Sequence, residues 1–181
     1  VNLLTGPKGT GKTQQMIEQA NQQAKSCNGN VVFIQKDARD TASVAFDIRT
    51  IVWMIFPAIE NIDEYIGFLY GMYSSNHDIE CVFIDGILKH ADISLGNMPE
   101  FIERLKKISK ECDIEFYVSI SANKEDLSGI DQTGCQYLTR TTGKYTKRME
   151  MQGGPVMDAL LRYEKMSGIK EQKEKGPGVR S

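Results

Sequence analysis

This 181-residue sequence lacks several features that would direct a protein to a membrane or out of the cell. Its longest apolar run, Ile51 to Ile59, is too short to span a bilayer. The chain opens directly on an apolar stretch without a signal peptide, so we expect a cytoplasmic protein. The formal net charge is only −2, which excludes a general electrostatic attraction to nucleic acid or to an anionic membrane.

Disulfide and zinc-ligand patterns are missing as well. The sequence has four widely spaced cysteines and no C-x-x-C pair: Cys27, Cys81, Cys112 and Cys135. A zinc site that combined them with His77 and His90 would lack any pair of ligands at the usual spacing, so we expect reduced thiols. The length and the 40% hydrophobic content are sufficient for one domain with a full core.

What the sequence does contain is a phosphate-binding loop between a predicted strand and a predicted helix. Eight consecutive residues match the pattern G-x-x-x-x-G-K-[ST] at every fixed position: Gly6, Pro7, Lys8, Gly9, Thr10, Gly11, Lys12 and Thr13. Val1–Thr5 before them has the composition of a short buried strand, and Gln14–Lys25 after them that of a helix. Glycines let successive backbone N–H groups turn toward a chain of phosphates, and the helix N-terminus adds a favourable field for the anion.

Two side chains of this loop have predicted chemical roles. Lys12 supplies a mobile positive charge for the β and γ phosphates of a nucleotide, and the Thr13 hydroxyl supplies a ligand for Mg²⁺. The sequence therefore predicts a nucleoside triphosphate, with ATP preferred over GTP, bound together with Mg²⁺.

Further apolar runs predict the other strands of a sheet. Val31–Ile34 and Cys81–Ile84 show no alternation of polar and apolar residues, which is typical of strands covered on both faces in a parallel sheet. Ile114–Ile120 predicts another strand, and Arg49–Phe56 has the β-branched and aromatic composition of a strand that Pro57 would stop.

Helix-start signals alternate with these strands. Asn61 with Glu64, and Asn97 with Glu100, have the spacing of capping boxes in front of residues at helical periodicity. Strands that alternate with helices in this way predict an α/β protein: a three-layer fold with a mainly parallel sheet of about five strands.

Asp85 is the predicted second half of the nucleotide site. It follows the buried run Cys81–Ile84, so its carboxylate should emerge at the carboxyl edge of the sheet, where ligands bind in open α/β folds. There it would assist Thr13 in holding Mg²⁺; the alternative is an ordinary strand-end turn formed by Asp85 and Gly86. Many P-loop ATPases place a glutamate after this aspartate to polarise the attacking water, and the glycine here predicts slow hydrolysis.

Asn123-Lys124-Glu125-Asp126 has the N-K-x-D form with which GTPases recognise guanine, and it follows a predicted strand. GTPases also carry D-x-x-G after the buried aspartate, whereas Gly86, Ile87 and Leu88 follow Asp85 here. The four-residue stretch is therefore either a guanine-recognition element or a polar turn after a strand.

The character of the chain changes after Leu138. We predict a nucleotide-binding domain over residues 1–138, followed over 139–181 by a basic stretch, a short amphipathic helix and a disordered tail. The basic stretch, at 140–148, is the one local feature that could attract nucleic acid: Arg140, Lys144, Lys147 and Arg148.

On these residues the chain resembles the P-loop NTPase superfamily over about Val1–Leu138. The loop is similar to that of AAA+ ATPases, but the chain is too short for their lid and sensor regions. The compact layout looks more like RecA-like ATPase cores or the thymidine kinase group, although the glutamate after the aspartate and the zinc-binding lid of thymidine kinases are missing. The amino-acid sequence around Val31, over 61–76 and over 83–103 is similar to that of small uncharacterised ATP-binding proteins of clostridia.

The resemblance implies a Mg²⁺-dependent ATP-binding protein in which Lys12 and Asp85 are the catalytic candidates and ATP turnover is slow. The alternatives are a nucleotide-responsive module that signals to a protein partner, a GTP-binding protein that uses Asn123–Asp126, and a kinase that phosphorylates a small molecule. The sequence does not identify the partner, the phosphoryl acceptor or the oligomeric state.

Overall fold

The computed structural model describes residues 1–36, 43–52, 59–131, 133–140 and 147–151. A single sheet runs through these segments in the order β3-β2-β4-β5-β1-β6-β7. Its seven strands are β1 (Asn2–Gly6), β2 (Asn30–Gln35), β3 (Arg49–Val52), β4 (Ile79–Ile84), β5 (Glu115–Ser121), β6 (Cys135–Arg140) and β7 (Lys147–Met151). Each neighbouring pair from β3 to β6 is parallel, and β7 runs antiparallel to β6.

Helices cover both faces of this sheet. The described residues contain three α-helices: α1 (Lys12–Ser26), α2 (Ile62–Ser75) and α3 (Met98–Cys112). Met16 and Ile17 of α1 pack in one apolar cluster with Phe83 of β4, whereas the buried residues of α2 and α3 belong to a second cluster. The predicted three-layer α/β architecture with a mainly parallel sheet is confirmed, with seven strands where about five were expected.

The buried runs behave as their composition indicates. Val31–Ile34 and Val82–Ile84 are each exposed by 2% or less, because helices cover both faces of β2 and β4. β3 begins at Arg49 as predicted, while residues 53–58, which include the remainder of that predicted strand, lie outside the described part.

The two predicted helix caps differ in detail from the expected capping boxes. The Asn61 side chain accepts a hydrogen bond from the Glu64 N–H at 2.9 Å, as predicted, but the Glu64 carboxylate accepts from the N–H of Glu60 and not from that of Asn61. Asn97 makes no side-chain cap at all, because its φ of −101° and ψ of 2° are not extended. Its side chain instead joins the preceding loop, accepting from the Ser94 N–H and donating to the carbonyl of Asp92.

The end of the predicted nucleotide-binding domain falls inside a strand. β6 continues to Arg140, and β7 adds Lys147–Met151 to the same sheet, so the sheet extends past the expected boundary at Leu138. Residues 141–146 and 152–181, which contain the rest of the basic stretch, the predicted amphipathic helix and the tail, lie outside the described residues. No helix in the described segments combines the length and the hydropathy needed to cross a membrane.

Candidate nucleotide-binding site

The phosphate-binding loop lies at the carboxyl edge of the sheet, between β1 and α1. Gly9 and Gly11 have φ of 81° and 82°, in the left-handed region that favours glycine. Gly6 faces the neighbouring strand so closely that an added Cβ would lie 2.4 Å from the carbonyl oxygen of Leu138. The glycine pattern is therefore required by the backbone path of the loop and by its packing against β6.

Polar side chains fold into the interior of this loop. The Thr10 hydroxyl donates to the Pro7 carbonyl at 2.9 Å, and Lys12 Nζ donates to the same oxygen at 2.8 Å. Thr10 and Lys12 are 1% and 7% exposed, whereas Lys8 is exposed at the loop tip. The ammonium group is thus held inside the loop, within reach of any anion that the backbone N–H groups accommodate.

Thr13 and Asp85, the two predicted Mg²⁺ ligands, contact each other directly. The Thr13 hydroxyl, in the first turn of α1, donates to Asp85 Oδ2 at 2.9 Å. Asp85 follows β4, and its own N–H donates to the carbonyl of Ile34 in the neighbouring strand β2. A hydroxyl and a carboxylate are hard oxygen donors of the kind that Mg²⁺ prefers, so these two side chains fit the predicted metal.

A buried serine, which sequence reasoning missed, completes this arrangement. Ile84 pairs with Val118 across β4 and β5, and that register places Asp85 beside Ser119. The Ser119 hydroxyl donates to Asp85 Oδ1 at 2.7 Å, and it accepts the N–H of Gly86 at the same distance. The available signal was a polar residue within the otherwise apolar run of β5.

A buried histidine holds the other side of the turn after β4. His90 Nε2 lies 2.9 Å from the carbonyl oxygen of Asp85, and Nδ1 lies 3.2 Å from the hydroxyl of Tyr65 in α2. Both side chains are fully buried, and burial raises the pKa of the Tyr65 phenol. The turn that carries Asp85 is thereby connected to α2 on one face of the sheet.

The histidine and the cysteines form no metal centre among the described residues. All four cysteines are free thiols, and no group of three His, Cys, Asp or Glu side chains in the described ranges is arranged to hold a metal ion. Burial raises the pKa of the Cys81 thiol to about 12, which keeps it protonated and a poor zinc ligand.

The Asn123–Asp126 stretch is a local helix cap. It leads into a 3₁₀ turn over Lys124–Leu127, where Asn123 and Asp126 each accept a hydrogen bond from the other's backbone N–H. The N–H of Lys124 donates to the Tyr137 hydroxyl. The Asp126 carboxylate, which would bind guanine in a GTPase, is therefore engaged in the turn itself.

Strand order and loop position together define a P-loop fold of the α/β class, in which β5 separates the strand before the phosphate-binding loop from the strand before Asp85. Among solved structures, the chain is similar to a KaiC-like protein from the hyperthermophilic archaeon Pyrococcus horikoshii OT3. The two share 19% sequence identity and a TM-score of 0.57, over 81% of this chain and 74% of that one. No family model and no curated protein matches the sequence.

This likeness supports the predicted three-layer α/β fold. The predicted similarity to clostridial ATP-binding proteins stays a prediction.

Proposed function

We propose that the protein binds ATP together with Mg²⁺ in the loop of residues 6–13 and hydrolyses it slowly. The observation that carries this proposal is the direct contact between Thr13 and Asp85, since it joins the two predicted Mg²⁺ ligands at the mouth of a loop that holds Lys12 inside. When bound, Mg²⁺ would neutralise the phosphate charge and orient the triphosphate.

Slow turnover follows from the residue after Asp85. Gly86 has no side chain, its N–H is donated to Ser119, and its φ of 65° belongs to the left-handed region. Apart from the Asp85 carboxylate, which is the predicted Mg²⁺ ligand, this turn therefore offers no carboxylate to a water molecule beside the γ-phosphate. Loss of a general base costs a factor of about 10²–10⁴ in rate.

A second candidate function is a nucleotide-responsive module that signals to a protein partner. The observation in its favour is the connection from Asp85 through His90 to Tyr65, because it links the site to α2. A change in the position of Asp85 on ligand binding would be transmitted to the surface that α2 carries.

Thermal stability and calorimetry of the purified protein test the proposal. We expect ATP with Mg²⁺ to raise the midpoint of unfolding most, because a ligand at a hundred times its Kd stabilises the native state by about 2.7 kcal/mol. GTP, ADP and GDP, each with Mg²⁺ or with EDTA, complete the panel, and phosphate release measures turnover. Stabilisation by GTP alone would reverse the base preference, and no stabilisation by any nucleotide would refute the proposal.

Turnover separates the two candidate functions. The nucleotide-responsive module is favoured if phosphate release stays slow with every candidate partner and if partner binding changes when ATP is added. Release that a partner accelerates favours the ATPase.

A further inference from the structure

Ser119 is a buried hydroxyl near the carboxyl end of the central strand β5. Its exposed fraction is 1%, and Val118 and Ile120 on either side of it point into the apolar cluster of the opposite face. A buried hydroxyl in such a strand is costly unless it is hydrogen-bonded. Both of its observed partners belong to the turn after β4, Asp85 and Gly86.

The direction of these two hydrogen bonds is fixed by chemistry. The Gly86 N–H can only donate, so Ser119 Oγ must accept from it. The single hydroxyl proton of Ser119 is then directed to Asp85 Oδ1. Because the backbone N–H of Gly86 cannot accept a hydrogen bond, the Ser119 hydroxyl proton is left for the Asp85 carboxylate.

The same carboxylate receives the Thr13 hydroxyl on its other oxygen, Oδ2. Ser119 holds Oδ1 on the side of β5, and this orients Oδ2 toward the phosphate-binding loop. Without the serine, rotation about the Asp85 side chain would exchange or displace the two oxygens. A charge-assisted hydrogen bond of this kind stabilises its pair more than a neutral one does.

We propose that Ser119 is a positioning residue that orients the Asp85 carboxylate for Mg²⁺ and so sets how strongly the metal increases nucleotide affinity. The inference rests on the proposed function, since it concerns the same metal-nucleotide site. Ser119 has no contact of its own with the loop of residues 6–13 among the hydrogen bonds of the described residues, so its effect should appear only through the metal.

The measurement is the ratio of the ATP dissociation constant in EDTA to that in Mg²⁺, obtained by calorimetry on the full chain. We expect Ser119→Ala to lower this ratio by about tenfold, because a hydrogen bond to a charged group is lost. The Kd in EDTA should change by less than about twofold, since the phosphate cradle is intact. Asp85→Asn serves as the reference, since it gives the ratio of the two dissociation constants for a site without the carboxylate.

Two further variants separate orientation from packing. Ser119→Cys nearly preserves the volume but supplies only a weak donor, so its ratio should be close to that of the alanine variant. Val118→Ala removes buried volume from the same strand on the opposite face and should leave the ratio unchanged. If the alanine variant fails to fold, the cysteine variant carries the comparison.

The outcomes are distinguishable. If the parent protein binds ATP with Mg²⁺ and the Ser119 variants keep its ratio of dissociation constants, the role of Ser119 is overturned and the proposed function stays intact. An equal loss of the ratio in Val118→Ala would also overturn it, as the effect would then come from packing. A parent protein that binds no triphosphate would overturn the proposed function itself.

Discussion

The Thr13 hydroxyl lies 2.9 Å from Asp85 Oδ2, although the two are 72 positions apart in sequence. In the sheet, β5 separates β1, which precedes the loop, from β4, which precedes Asp85. β1 and β4 are each paired with β5, so they lie about 9–10 Å apart. The contact between Thr13 and Asp85 therefore crosses the carboxyl end of β5, where the Ser119 hydroxyl donates to Asp85 Oδ1. The loop, the Asp85 carboxylate and β5 are thus joined by hydrogen bonds from Thr13 and Ser119.

Replacing Lys12 with alanine should abolish triphosphate binding without unfolding the protein. The ammonium group points into the loop toward Pro7 and not into an apolar cluster. We expect ATP affinity in Mg²⁺ to fall by at least about 30-fold, as is usual when one partner of a buried charged pair is removed. Calorimetry measures the affinity, and circular dichroism checks the fold.

Lys25→Ala is the matched control for this variant, since Lys25 is an exposed lysine in the last turn of the same helix. Its ATP affinity should equal that of the parent. If the Lys12 variant bound ATP as tightly as the parent, the assignment of the phosphate-binding loop would be wrong.

Introducing the missing acid as Gly86→Glu should not produce a fast ATPase. Gly86 has φ of 65° and ψ of 51°, a conformation that costs other residues about 1–2 kcal/mol. We expect a loss of stability of that size. Phosphate release should not rise, because the hydrogen bond from the Gly86 N–H to Ser119 fixes the turn and with it the direction of the new side chain. Urea unfolding and a phosphate-release assay measure the two effects.

Gly67→Glu provides the control for adding the same side chain elsewhere. Gly67 lies in α2, where an added Cβ would meet nothing within 4 Å. This variant should be at least as stable as the parent, since glutamate favours helix more than glycine does. A large gain in phosphate release by Gly86→Glu would show that the turn adapts and that the acid alone was lacking.

Gly6→Ala should be strongly destabilising. Its φ of 149° is unfavourable for alanine, and the new Cβ would lie 2.4 Å from the Leu138 carbonyl oxygen, so the backbone of β1 or β6 must shift. We expect a loss of roughly 2–4 kcal/mol in the free energy of unfolding. Gly71→Ala, in an open position of α2, should instead gain about 0.5–1 kcal/mol. Equal stability of the two variants would contradict the close approach of β1 and β6.

Asp126→Ala should leave the preference between ATP and GTP unchanged. The Asp126 carboxylate accepts the Asn123 N–H in the cap of the 3₁₀ turn, so its removal should cost about 1 kcal/mol of local stability and no base discrimination. The ratio of the two nucleotide dissociation constants tests this. A shift of that ratio toward ATP would identify Asp126 as a guanine-recognition residue after all.

The parts of the site that could be predicted are those fixed by local sequence. The loop pattern specifies its own backbone, and the apolar run before Asp85 places a carboxylate at the sheet edge without further information. Ser119 and His90 could not be found in this way, because the role of Ser119 depends on which strands are neighbours and that of His90 depends on its contact with Tyr65 in α2. Nothing local to Ser119 indicates that β5 lies between β1 and β4.

The end of the sheet was missed for a different physical reason. β6 has the sequence Cys-Gln-Tyr-Leu-Thr-Arg, and Gln136 within it is fully buried. A strand with a buried glutamine does not show the apolar run by which β2 and β4 were recognised. The role of Asn97 at a helix start could likewise not be predicted from local sequence, because its side chain bonds to the preceding loop and does not cap the helix.

The position of β1 in the sheet has a consequence for how the protein is made. β1 is synthesised before the other six strands of the sheet, and both of its neighbours, β5 and β6, come more than 100 residues later, with Leu3 opposite Val118 and Cys135. While the chain grows from the ribosome, one edge of this apolar strand stays without its native partner until β5 has emerged, and the other edge until β6 has emerged. The loop of residues 6–13 therefore reaches its native surroundings, which include Leu138 against Gly6 and Ser119 on Asp85, only after β5 and β6 have been synthesised.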